Sequence, residues 1–119
     1  MKQVILDTNF ILTCIKQKID FIDEISFQGV RVIVPNEVID ELELLKKDKK
    51  SAAAAFALKL LSLNKFEKVS LGTRKVDKGI IDYARKNPYV IVATLDEEIK
   101  GKLKNYKMII KGKKKLDII

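Results

Sequence analysis

Val4-Ile5-Leu6-Asp7-Thr8-Asn9 is the stretch on which the fold turns. Three apolar, partly β-branched residues read as a short buried strand. It ends on an acid and two small polar residues, and Phe10-Ile11-Leu12 resumes the apolar pattern at once. In an open parallel sheet, ligands bind beyond the carboxyl ends of the strands. Asp7 therefore has two candidate roles, a carboxylate placed for chemistry or the cap of the next helix, and the remaining sequence must decide between them.

Outward from that stretch, strands and helices alternate. Lys2 to Leu6 is the first strand, and Phe10 to Lys16 carries apolar residues at helical spacing. Ile19, Ile22 and Ile25 mark a second short amphipathic helix with Asp20 near its start. Val30 to Val34 is the second strand, stopped by Pro35, which suits the first turn of a helix. Asn36 to Lys47 is amphipathic through Val38, Ile39, Leu42 and Leu45. Ser51, a good N-cap, opens an alanine-rich helix to about Leu63. Phe66 to Leu71 is the third strand, and Asp77 starts a helix that ends before Asn87-Pro88. Tyr89 to Ala93 is a continuous apolar strand, expected at the sheet centre. Asp96 starts a last short helix, Lys107 to Ile110 is a fifth strand, and Leu116 to Ile119 is a candidate edge strand. This order predicts one α/β domain over residues 1–119: a doubly wound, mostly parallel sheet of about five strands with helices on both faces.

Composition narrows the chemistry. There is no histidine and a single cysteine, Cys14, among 119 residues. That excludes Ser-His-Asp and Cys-His catalysis, and zinc sites built on histidine or thiolate. Cys14 sits in an apolar context and reads as a small buried residue. No apolar run approaches the roughly 20 residues that span a bilayer, Asp7 interrupts early any basic-then-apolar signal-peptide pattern, and a reducing cytoplasm is the expected setting. The five glycines are scattered, without a phosphate-binding loop.

The net charge of +8 is unevenly spread. Residues 1–45 hold four Lys/Arg and eight Asp/Glu (−4), whereas residues 46–119 hold twenty and eight (+12). An acidic focus beside a basic remainder suits a metal-dependent enzyme acting on a polyanion.

The acids fall at telling places. Asp7 closes the first strand, Asp77 opens the helix after the third, and Asp96 follows the fourth, so all three are expected at one sheet edge. Asp77 and Asp96 also stand at helix starts, where the helix dipole favours negative charge and a capping role is open to each. Glu41 lies four residues after Glu37 on one helix face, a mildly destabilising like-charge spacing that a cation or partner would relieve. Asp40 and Glu43 look ordinary, with Glu43 able to pair with Lys47. Converging carboxylates repel unless protonated or bridged by metal. Oxygen-only ligands prefer hard ions such as Mg2+ or Mn2+, and two such ions about 4 Å apart can drive phosphodiester hydrolysis.

With these residues in view, the chain resembles PIN-domain nucleases over essentially its full length. The matching stretches are Ile5-Leu6-Asp7-Thr8-Asn9; Val34-Pro35 with Val38 and Glu41-Leu42; Asp77 with Ile80 and Ala84; and Val92-Ala93-Thr94-Leu95-Asp96. The resemblance implies a doubly wound parallel sheet and a magnesium- or manganese-dependent endoribonuclease without a covalent intermediate. It implies catalytic, metal-holding roles for Asp7, Glu41, Asp77 and Asp96, supported by Asn9 and Thr94. Within the family the chain looks most like archaeal relatives of the pre-ribosomal RNA processing nucleases. The similarity lies in Asp7 to Leu12, Lys18-Ile19-Asp20-Phe21, the alanine-rich helix, and Ile110 to Leu116. That makes structured RNA, such as an rRNA precursor, the expected partner. Toxin-type PIN ribonucleases silenced by an antitoxin are near neighbours. A non-catalytic RNA-binding module in ribosome assembly is a further alternative, and relatives often form homodimers. One departure is Lys78, where the processing relatives often carry a second acid beside the Asp77 position; Asp82 lies about a turn further on.

Lys111, Lys113, Lys114 and Lys115 form a lysine cluster broken only by Gly112, either an RNA phosphate contact or a solvated loop. Tyr83, Tyr89 and Tyr106 are able to stack bases, but packing within the fold is the expected role for each.

Overall fold

A computed structural model of the chain describes residues 2–112 and 114–119. Six strands form one sheet: β1 (Gln3–Leu6), β2 (Arg31–Pro35), β3 (Glu67–Val69), β4 (Ile91–Ala93), β5 (Lys107–Lys111) and β6 (Lys115–Ile118). Their order is β3-β2-β1-β4-β5-β6. Every pairing is parallel except β5 with β6, which is antiparallel. The candidate edge strand at the C-terminal end is thus a sixth strand, folded back on β5 by a turn at Gly112, whose φ of +65° favours glycine.

The chain winds from β1 outward through β2 to β3, then returns to the other side of β1 for β4 and β5. β1 and β4 therefore flank the point where the winding direction reverses, the place where open α/β sheets bind ligands. The central strands are apolar because both their faces are covered. Val4, Ile5, Leu6, Val34, Val92 and Ala93 are wholly inaccessible to solvent.

Among the described residues six helices connect the strands: α1 (Thr8–Lys16), α2 (Phe21–Phe27), α3 (Asn36–Asp48), α4 (Ala52–Ser62), α5 (Val76–Lys86) and α6 (Glu97–Lys102). α1, α3 and α4 pack on one another, and α5 packs on α6. Right-handed crossovers in opposite winding directions place these two groups on opposite sheet faces. Ser51 caps α4, its Oγ accepting from the Ala54 N–H at 3.1 Å. Ala54 and Ala57 are buried, and their small side chains let α4 approach α1 and α3 closely. Cys14 is buried, and burial pushes its thiol up to about 12, so it behaves as a small apolar residue.

Two expected strands are shorter in the fold. The third keeps only Glu67–Val69. The fourth begins at Ile91 because Asn87 to Val90 forms a turn, closed by the Val90 N–H donating to the Asn87 carbonyl at 3.0 Å. Tyr89 consequently lies outside the sheet and is 93% exposed. The expected packing role fails for Tyr89 and Tyr106, both exposed, and holds for half-buried Tyr83. Among the described residues no helix is long and apolar enough to cross a membrane.

Candidate functional site

Strand register brings the first two site residues together. Leu6 is opposite Ala93, so Asp7 and Thr94, the next residue on each strand, emerge side by side at the carboxyl edge. The Asp7 N–H donates to the Ala93 carbonyl at 3.0 Å, and Thr94 Oγ1 donates to Asp7 Oδ2 at 2.9 Å. Asp7 Oδ1 accepts from the Thr8 N–H at 2.8 Å and caps α1, which starts at Thr8 rather than Phe10. The two roles foreseen for Asp7 thus coexist, since each carboxylate oxygen keeps a second lone pair.

Asp7 is buried, with 4% of its surface accessible. Burial raises its carboxyl above the ordinary value, opposed by the hydrogen bonds from Thr94 and Thr8. The like charges of Asp77 and Glu41 push in the same direction as burial, so both acids lie within electrostatic reach of Asp7.

The other acids are held in different ways. Glu41 projects from the middle of α3 and accepts a hydrogen bond from Thr8 Oγ1, which ties α3 to the start of α1. Asp96 is the N-cap of α6, its Oδ1 accepting from the N–H groups of Glu98 and Ile99 at 2.9 and 3.3 Å. Its own N–H donates to Thr94 Oγ1 at 3.1 Å. Thr94 therefore uses its hydroxyl to fix both Asp7 and the backbone of Asp96. Asp77 is not a cap: α5 starts one residue earlier, with Lys75 in the capping position and no side-chain bond there. Its exposed carboxylate faces a groove that it shares with Asp96, Lys78, Asp82 and Arg85.

Glu37 does not need a cation to tolerate Glu41. Its carboxylate accepts from the Leu71 N–H at 3.0 Å and from Ser70 Oγ at 3.3 Å, fastening the β3–α5 loop to α3. Burial alone would raise its carboxyl, but these bonds and one from the Gly72 backbone hold it below the ordinary range. Gly79 locks the same loop from α5: a Cβ there would lie 2.7 Å from Leu71 Cβ. Asp77 is two residues before this contact, so its position depends on the loop.

The structure brings Asp7, Glu41, Asp77, Asp96 and Thr94 to one end of the sheet. Asn9 is exposed on α1 and makes no side-chain hydrogen bond among the described residues. Lys111, Lys114 and Lys115 lie at the β5–β6 turn, at the same sheet edge but two strands from β1. Lys111 pairs with Asp117 at 3.8 Å, and Lys113 lies outside the described residues. Of the nearer cations, the sequence reading singled out only Lys78. Lys46, Lys47 and Arg74 share a groove with Glu41, and Lys78 and Arg85 flank Asp77. The run of charge at Lys46 to Lys50 was the one visible signal for Lys46 and Lys47. Thr8 was missed as well, because only the packing of α1 on α3 shows that its hydroxyl meets Glu41.

The donor set fits a hard divalent ion. It is made only of oxygen, and it centres on a buried carboxylate with like-charged neighbours and no ion pair among the described residues. No group of three acids among the described residues converges tightly enough to enclose an ion. Magnesium does not require such a cage, since it keeps several waters and binds through one or two carboxylates.

Comparison with known proteins agrees with this architecture. A family model described as a PIN like domain matches residues 4–113. The chain is 32% identical over 127 aligned residues to Ribonuclease VapC4 of Methanocaldococcus jannaschii, covering 99% of this chain and 97% of that protein. The structure of the PIN domain endonuclease Utp24 superposes with a TM-score of 0.80 at 23% identity, covering 98% of this chain and 90% of that one. A domain of a functionally unknown protein from Methanocaldococcus jannaschii superposes with a TM-score of 0.61 at 17% identity, covering 100% and 99%.

Proposed function

Because this chain belongs to the PIN-like domain family, we propose that it is an endoribonuclease that hydrolyses RNA phosphodiesters with the help of Mg2+ or Mn2+. The observation that carries this reading is the buried carboxylate of Asp7 at the winding reversal, with Glu41 and Asp77 close enough to raise its pKa. An ion bound there would supply Lewis-acid charge to the phosphodiester and to an attacking water. Asp7, with Asp77, Asp96 and Glu41 acting directly or through water, would hold it.

The surrounding residues have separable tasks. Thr94 and Thr8 keep the carboxylates of Asp7 and Glu41 in fixed orientation, which limits reorganisation during reaction. Lys46, Lys47 and Arg74 on one shoulder, and Lys78 and Arg85 on the other, would hold backbone phosphates. Lys111, Lys114 and Lys115 extend that basic surface along the sheet edge. Such contacts position RNA without reading its sequence.

For the biological substrate, the resemblance of Lys18 to Phe21 and of Ile110 to Leu116 to archaeal processing nucleases supports an rRNA precursor, met in the cytoplasm. A second reading, a toxin-type ribonuclease held by an antitoxin, draws on the similarity to Ribonuclease VapC4 along nearly the whole chain. Growth arrest on expression, relieved by the product of an adjacent small gene, would favour the second.

Incubation of the purified protein with end-labelled structured RNA tests the activity. Internal cleavage that appears with magnesium or manganese and stops with EDTA is expected. Cleavage indifferent to EDTA, or none with either ion, would contradict the proposal.

A further inference from the structure

The opposite edge of the sheet carries a second constellation. A groove of about 630 Å³ opens at the amino ends of the strands, lined by Lys2, Pro88, Tyr89, Lys104 and Tyr106, with Ile91 and Ile118 also contributing. No acid lines it. Tyr89 and Tyr106 are 93% and 69% exposed, and neither phenol makes a hydrogen bond among the described residues.

Two large aromatic side chains exposed within one groove form the kind of surface patch that marks interaction sites. These two are also held on a rigid base. Tyr106 immediately follows Asn105, a buried residue whose side-chain amide reaches the carbonyls of Ala84, Asn87 and Val90 at 3.1, 3.1 and 2.9 Å. That amide fastens the turn carrying Tyr89 to the segment carrying Tyr106. The tyrosine backbones are therefore fixed in advance, and little ordering is left to cost affinity on binding.

We propose that this groove is a second RNA-binding site, where unpaired bases stack on Tyr89 and Tyr106 while Lys2 and Lys104 contact the adjoining phosphates. Aromatic faces with flanking cations and no acids match the chemistry of single-stranded nucleic acid. A β-strand rises about 3.3 Å per residue, so roughly 15 Å of sheet separates the groove from Asp7. RNA held here would be gripped away from the point of cleavage, which would raise affinity for substrates with an unpaired flank. The inference rests on RNA being the substrate class.

Fluorescence anisotropy with a labelled, unstructured oligouridine, in EDTA and with RNA integrity checked afterwards, tests it. Tyr89→Ala with Tyr106→Ala should weaken binding at least about tenfold, since stacking contributes about 1–3 kcal/mol per base. Tyr89→Phe with Tyr106→Phe should retain wild-type affinity. Lys2→Ala with Lys104→Ala should lower the slope of log affinity against log salt by about 1.4. Circular dichroism melts of the variants should match the wild type, because the replaced side chains are at the surface. Unchanged affinity in the double alanine variant, while wild type binds, would overturn this site alone. It would leave the nuclease proposal intact and point to a protein or small-molecule occupant. No binding of the oligouridine by wild type even at low salt would also overturn this site, and would leave the nuclease proposal to its own test with magnesium and structured RNA.

Discussion

Thr94 Oγ1 donates to Asp7 Oδ2 at 2.9 Å while accepting from the Asp96 N–H at 3.1 Å, so one hydroxyl joins the carboxylate at the end of β1 to the chain that leads into α6. Thr94 is wholly buried, and water cannot replace either bond. Thr94→Val keeps the shape and removes the hydroxyl. Leaving a buried acceptor unsatisfied costs about 1–3 kcal/mol. Urea unfolding should show that loss, and RNA cleavage should fall with it, whereas Thr94→Ser should retain most of both. A stable, active Thr94→Val protein would remove Thr94 from the site.

The raised pKa of Asp7 makes a signed prediction for the metal-free protein. Burial is its main cause, with Asp77 and Glu41 adding like charge. A carboxyl raised above its unfolded value contributes stability below the unfolded pKa and loses it as pH rises through the folded pKa. Ionised Asp7 therefore burdens the metal-free fold at neutral pH. Asp7→Asn should melt higher than wild type in EDTA at neutral pH, with Thr94 Oγ1 accepting from the new amide. The gap should close as pH falls towards 3.8, the ordinary aspartate value. Magnesium should raise the melting temperature of wild type more than that of Asp7→Asn.

Glu37 and Glu41 share a face of α3 but should behave differently. Glu41→Gln should abolish most cleavage with little effect on stability. Glu37→Gln should lose about 1 kcal/mol, because the β3–α5 loop loses a charged acceptor at a partly exposed site. The Glu37 carboxyl is held below its ordinary value of 4.5. Its contribution is thus present above that pH and lost as pH falls through the folded pKa. Unfolding of the Glu37→Gln and wild-type proteins should differ at neutral pH and converge in acid.

Gly79→Ala tests whether the loop positions Asp77. On an ordinary helix this substitution stabilises by about 1 kcal/mol. Here the new Cβ would meet Leu71 Cβ at 2.7 Å and Thr73 Cγ2 at 3.1 Å. Displacement of the loop should lower both the melting temperature and the cleavage rate. A more stable, equally active variant would show that the Leu71 contact is not required.

Much of this arrangement was legible in the residues themselves. The apolar runs Val4 to Leu6 and Val32 to Val34 declare central strands because a strand buried on both faces needs no polar alternation. Asp7 was found because it directly follows such a run, and Asp96 because it comes three residues after another, Tyr89 to Ala93. The roles of Thr8 and Glu37 were not legible, since their partners lie 33 and 34 residues away and meet them only through tertiary packing. Asp77 looked like a cap and is not one, because α5 begins a residue earlier than its pattern suggests. Tyr89 read as part of a strand because the turn at Asn87 to Val90 is held by Asn105, which local sequence does not reveal.

The most direct test of the whole account is single-turnover cleavage of end-labelled RNA by wild type and Asp7→Asn, each with manganese and with EDTA. The account predicts cleavage by wild type with manganese alone, and a loss of at least about a hundredfold in Asp7→Asn, while melting curves show both proteins folded. Equal cleavage by the two proteins would contradict it and remove Asp7 from the centre of the site.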